Sequence, residues 1–150
     1  MPQVMELKID KSKWSDGPWM HEPDRMQWRH EGLDCLIVRN TVGALCGYVG
    51  VPPGHAIHEV DYAGVHEQFP DVSVHGGLTY ADKCQGPICH VPEPGQSDDV
   101  WWLGFDAAHI GDLIPGRLGD DWPLFKDDVY RDLAYVTREV NQLAEQLANR

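Results

Sequence analysis

Cys35-Leu-Ile-Val-Arg39, Asn40-Thr-Val-Gly43 and Ala44-Leu-Cys-Gly-Tyr-Val-Gly-Val51 decide the fold. Two short apolar, β-branched runs bounded by turn residues read as two strands joined by a tight connection. Pro52-Pro53-Gly54 ends the second strand, because proline has no N–H to give to a ladder. Further out, residues 72–80 read as a third strand interrupted by Gly76 and Gly77, and residues 100–105 as a fourth.

At the C-terminal end, Val129, Leu133, Val136, Val140, Leu143 and Leu147 recur every three or four residues, on one narrow helical face. This predicts a helix over residues 128–148 that covers one face of the sheet. Asp127 and Asp128 at its start and Arg150 at its end complement the helix dipole. A second, shorter helix is expected within residues 57–69, from Ile57, Val60, Val65 and Phe69. The fold class is therefore α+β, a mainly antiparallel sheet of about four strands packed against a long C-terminal helix.

A single domain spans residues 1–150: an irregular Trp-rich segment (1–34), sheet and loops (35–112), then a linker and the C-terminal helix (113–150). In the first segment Trp14, Trp19 and Trp28 stand among Gly, Pro and charges. Their expected use is as packing anchors, with a binding groove as the alternative and at most a short helix over residues 24–30. Residues 81–99 read as a long loop rich in Pro, Gly and Asp, the kind that is usually functional or mobile.

Composition narrows the function classes. A chain of 150 residues with 42% apolar and 24% charged residues has ordinary globular usage. A domain of this size buries roughly 68–70% of its unfolded surface without needing staples. The balance of 12 Lys and Arg against 24 Asp and Glu, formally −12, repels polyanions and argues against nucleic acid as a partner. No window approaches the roughly 20 apolar residues that cross a bilayer. No basic region followed by an apolar stretch opens the chain, so no membrane partner and a cytoplasmic location are expected. The apolar helical seam leaves room for a homo-oligomer, although about three heptads favour packing within the chain.

Familiar catalytic signatures are missing. The sequence contains no HExxH, no HxxEH, no GxSxG, no GxxxxGK[ST] and no GxGxxG after a strand. Cys84-Gln-Gly-Pro-Ile-Cys89-His90 is a second point of interest, since two thiols and an imidazole in a Gly-Pro turn suit a metal or a short disulfide. Packed thiols are the plainer alternative.

Chemistry concentrates in Gly104-Phe-Asp106-Ala-Ala-His109-Ile-Gly-Asp112, just after the fourth strand. In a helical turn, Asp106, His109 and Asp112 would share a face. Carboxylate oxygen and imidazole nitrogen together suit a divalent cation, zinc above all. His75 precedes two glycines, which mark a bulge or a close backbone approach. The expected metal ligands are His75, Asp106 and His109, with His55 as a fourth from a neighbouring loop. Asp112 and Glu139 are the expected catalytic residues, Glu139 as general base or as a partner to a ligand. The plainer alternatives are that Asp106 caps a turn, the histidines are ordinary, and Glu139 is a solvated flank.

The segments His75-Gly-Gly-Leu-Thr-Tyr80, Trp101-Trp-Leu-Gly-Phe-Asp-Ala-Ala-His-Ile-Gly-Asp112, Tyr130-Arg-Asp-Leu-Ala-Tyr-Val136 and Gln142-Leu-Ala-Glu-Gln-Leu147 resemble those of small uncharacterised bacteriophage and environmental viral proteins. The resemblance covers most of the chain. It implies an accessory viral protein in a bacterial host cytoplasm and no mechanism.

The functional expectation is a small metal-dependent hydrolase acting on a small-molecule substrate, phosphoesters first, with a metal-bound water as nucleophile. The alternative is a non-catalytic viral accessory protein that binds a host protein or a small molecule.

Overall fold

The computed structural model describes residues 3–4, 9–90, 92, 94–95, 99–117 and 128–150. Asp127 at the expected helix start and residues 118–126 of the expected linker lie outside these. The fold is α+β, with a wholly antiparallel sheet of β1 (Gln3–Val4), β2 (Arg25–His30), β3 (Leu33–Arg39), β4 (Leu45–Val51), β5 (Tyr80–Lys83) and β6 (Trp101–Asp106), in the order β1-β2-β3-β4-β6-β5. Two helices accompany it, α1 (Tyr62–Gln68) and α2 (Leu133–Leu147).

The expected hairpin of residues 35–51 forms, pairing Cys35 with Val49 and Arg39 with Leu45. Asn40 makes its turn: its side-chain oxygen accepts from the N–H groups of Val42 and Ala44. That is the local bonding by which Asn favours turns.

Four expectations need correction. Residues 25–30 are a strand, not a short helix, because His30-Glu31-Gly32-Leu33 closes a two-residue hairpin with φ of 53° and 76° at Glu31 and Gly32. Two left-handed residues are what that turn type demands. Residues 72–79 are not a strand; Gly76 and Gly77, at φ 70° and 82°, turn the chain, and only Tyr80–Lys83 joins the sheet. The C-terminal helix starts at Leu133, where the Asp132 carboxylate accepts from the Tyr135 N–H and caps it. Val129 stays outside the helix, half exposed. The shorter helix is likewise trimmed to Tyr62–Gln68 by its Asp61 cap.

Helix α2 lies on one face of the sheet, its Val136, Val140, Leu143, Ala144 and Leu147 packed on Cys35, Ile37, Leu45, Val49, Leu103 and Phe105. Burying the four Val and Leu side chains is worth roughly 6–12 kcal/mol gross. That is comparable with a domain's whole net stability, so α2 is integral to the fold. Gly47 makes room for it: a Cβ there would stand 2.5 Å from Val140 and 2.6 Å from Phe105.

The opposite face carries Leu36, Val38, Cys46, Tyr48 and Trp102, covered by Tyr80, Cys84 and Ile88. The tryptophans serve as packing anchors. Trp19 is buried edge-on to Tyr130, and Trp28 donates to Asn141 on α2. No helix among the described residues is long and apolar enough to cross a membrane.

Candidate functional site

The turn after β6 does bring the expected residues together, though not through a helical turn. Asp106 ends the strand and its Oδ1 accepts from the Ala108 N–H; a tight turn over residues 109–112 follows, with Gly111 at φ 98°. This carries Asp112 inward to 3% exposure, where three segments meet on its carboxylate. The His75 Nε2 lies 3.0 Å from both oxygens, the His109 N–H donates to Oδ2 at 3.0 Å, and Arg131 Nε donates to Oδ1 at 2.9 Å. Burial raises the Asp112 carboxyl, but the bonds from Arg131, His75 and the His109 amide outweigh it and hold it below the usual aspartate range. Asp112 is therefore an anion at neutral pH.

An ionised carboxylate only accepts, so in the neutral imidazole His75 Nε2 carries the proton and Nδ1 accepts from the Tyr135 hydroxyl, 2.8 Å away. Glu139 Oε1 accepts from the His75 backbone N–H at 2.8 Å. Tyr135 and Glu139, one helical turn apart on α2, thus grip the loop before Gly76. Arg131 also lies over the Tyr135 ring, 5.0 Å from its centre.

His109 joins this cluster to a cavity on the other face of the sheet. The cavity, about 400 Å³, is lined by Asn40, Cys46, Tyr48, Thr79, Tyr80, Phe105, Asp106, Ala108 and His109. His109 Nε2 lies 3.1 Å from Asp106 Oδ1, off a hydrogen-bonding angle, and packs on Gly76, where a Cβ would come within 2.4 Å. Thr79 donates to Asp106 Oδ2. Two residues of this wall each carry a buried polar atom, His109 Nε2 and Tyr80 Oη, that finds no hydrogen-bond partner among the described residues. Burial, and then the charge of Asp82, raises the Tyr80 phenol, so it remains a donor. Burial pushes the Cys46 thiol up to about 12, which leaves it a poor nucleophile.

The expected four-ligand metal set is not assembled. His55 is elsewhere and fully engaged: its Nδ1 accepts from the Ile57 N–H and its Nε2 donates to the Leu147 carbonyl under the end of α2. Both ring nitrogens of His75 are taken by Tyr135 and Asp112, which leaves Asp106 and His109 alone at the cavity. Two protein ligands are fewer than the three of a catalytic zinc site, so the residues do not fit the expected metal here.

Among the described residues, the group whose ligand atoms lie within 4.8 Å of one another is Cys84, Cys89 and His90, which could hold a metal; here the two cysteines form a disulfide. Glu139 is bound to backbone and does not line the cavity. Sequence reading missed Tyr48, Tyr80, Arg131 and Tyr135; of these only Tyr135 carried a signal, its spacing four before Glu139. No protein-family model, no curated protein and no solved structure matches the chain.

Proposed function

We propose that the chain is a small hydrolase that binds a compact polar molecule in the cavity over Tyr48 and uses His109, paired with Asp106, as general base. The observation that carries this reading is that two residues lining one cavity, His109 and Tyr80, each carry a buried polar atom with no hydrogen-bond partner among the described residues, His109 Nε2 facing only the Asp106 carboxylate. Buried polar groups are seldom left unpaired, and such groups around a pocket call for a polar ligand. In the proposed reaction His109 takes a proton from water as its oxygen attacks a carbonyl carbon and the C=O π pair moves onto oxygen; collapse of this adduct breaks the C–O or C–N bond, and His109 returns the proton to the leaving alcohol or amine. The Tyr80 O–H donates to the developing oxyanion.

Among the described residues the cavity wall includes Asp106 and no Lys or Arg, so a neutral or cationic ester or amide suits it better than a phosphoester. Asp112 and Glu139 act on the loops: Asp112 through the His75 ring and the His109 amide, Glu139 through the His75 amide. Zinc, expected at His75 and His109, is better suited to the Cys84 group. A bacterial cytoplasm remains the expected setting.

The test is a panel of small carboxyl esters and amides, followed by turnover and by amide chemical-shift mapping. Turnover should fall about 100-fold or more in His109→Ala and Asp106→Asn. Tyr80→Phe should lose less. Panel compounds that bind without turnover would favour a small-molecule binder instead. Compounds whose shifts map away from Thr79, Tyr80 and His109 would sink the site altogether.

A further inference from the structure

We infer that Cys84, Cys89 and His90 form a redox-gated zinc site: closed by a disulfide in the oxidised chain, and able to bind one divalent ion when the two cysteines are thiols. The site lies on the sheet face opposite α2, apart from His109, and stands independently of the proposed hydrolase.

Three observations carry the inference. The ligand atoms of all three residues already lie within 4.8 Å of one another. His90 is 95% buried, and neither of its ring nitrogens has a hydrogen-bond partner among the described residues. A buried imidazole with no hydrogen bond at either nitrogen is costly, and metal coordination relieves that cost. The cysteines are also held together by more than their own bond. Gln85 and Ile88 exchange both backbone hydrogen bonds across Gly86 and Pro87, at 3.1 and 2.9 Å, so this hairpin keeps Cys84 facing Cys89 after reduction.

The surroundings suit a thiolate site. The Trp102 indole N–H donates to Cys84 Sγ at 3.4 Å, and its ring meets the His90 ring edge-on. Arg25 donates to the Cys89 carbonyl. The Asp34 carboxylate, 3.8 Å from His90 Nε2, is placed to accept a hydrogen bond from that ring N–H after a small shift, as carboxylates do behind metal-bound histidines. Two thiolates offset the charge of a divalent cation, so the filled site is neutral. Sulfur and imidazole together select zinc over magnesium or calcium.

The chemistry balances. A dithiol reductant delivers two electrons and two protons to the disulfide and leaves as its own disulfide. Each thiol then gives up its proton as its sulfur binds the ion, releasing two protons per metal. A small-molecule disulfide oxidant withdraws two electrons, re-forms the Cys84–Cys89 bond and expels the cation. Cytosolic thiol pools favour the open form and secretory compartments the closed one.

The test titrates cobalt(II), and then zinc against a chromophoric chelator, into the full chain, oxidised or reduced with a phosphine. The reduced chain should bind one ion with sulfur-to-cobalt charge-transfer bands, and the oxidised chain at least ~100-fold more weakly. His90→Ala should weaken binding more than about 10-fold, whereas His109→Ala should bind as the parent does. Equal affinity of the oxidised and reduced chains would overturn the inference. So would parent-like binding by the reduced Cys84→Ser, Cys89→Ser variant, or a reduced chain that unfolds and is not restored by metal.

Discussion

Replacing Asp112 by Asn tests the centre of the cluster, because it keeps the shape of the side chain and removes its charge. One of the two oxygens becomes an NH2 donor in a place where every neighbour donates: Arg131 on Oδ1, the His109 amide on Oδ2, and His75 on both. Whichever way the amide turns, N–H faces N–H. Breaking a buried, hydrogen-bonded charge pair costs ~3–5 kcal/mol. Arg131, with a quarter of its side chain exposed, can return to water, which places the expected loss near the lower end, about 3 kcal/mol. With a urea slope of about 2 kcal/mol per molar, the unfolding midpoint should fall by about 1.5 M. The effect has a definite pH signature. The folded carboxyl titrates below its unfolded value, so its stabilisation is complete above the unfolded aspartate pKa of about 3.9 and is lost as pH falls through the folded value. Parent and variant should therefore differ fully at pH 7 and at about pH 5, and converge below about pH 4. A midpoint within about 0.3 M of the parent's at pH 7, or a gap that does not narrow in acid, would refute the role of Asp112 as the hub.

Gly76→Ala should cost about 1–2 kcal/mol for its left-handed backbone, and its Cβ should push the His109 ring off the loop, visible as changed ring resonances. Unmoved His109 signals would show that the ring does not rest on Gly76. Arg39→Lys should cost at least about 2 kcal/mol, because a point charge cannot serve Asp24, Glu22, Tyr130 and the Gly43 carbonyl together. Its melting temperature should drop by about 4–8 °C; a drop of less than about 1 °C would count against the network.

Much of the fold was legible in the chain because it follows from periods that repeat over several residues. The two apolar, β-branched runs of residues 35–51 with their Asn/Gly turn, and the stripe from Leu133 to Leu147, each point to one structure without help from the rest of the molecule. The Glu31-Gly32 turn was legible too, but it was outweighed by the Trp, Pro and charge around it, and β2 was missed. The ends of α2 and α1 depended on single capping carboxylates, Asp132 and Asp61, among several acidic residues close by.

The site was legible only as a set of neighbours. His75, Asp106, His109, Asp112 and Glu139 do gather at one end of the sheet. Their types alone suggested a metal, because a list of His and Asp residues does not say which nitrogen is already bound. Tertiary structure decided that. It gave Asp112 to Arg131 and His75, spent His55 on the backbone beneath α2, and left His109 at a cavity with Tyr80, a residue 29 positions away. Hydrogen bonds between distant segments leave no periodic trace in a sequence, since each partner is set by register and burial elsewhere in the fold. The same reason separates Cys84, Cys89 and His90, whose nearness is written in a seven-residue stretch, from the burial that leaves the His90 nitrogens without hydrogen bonds among the described residues, which only the packed sheet imposes.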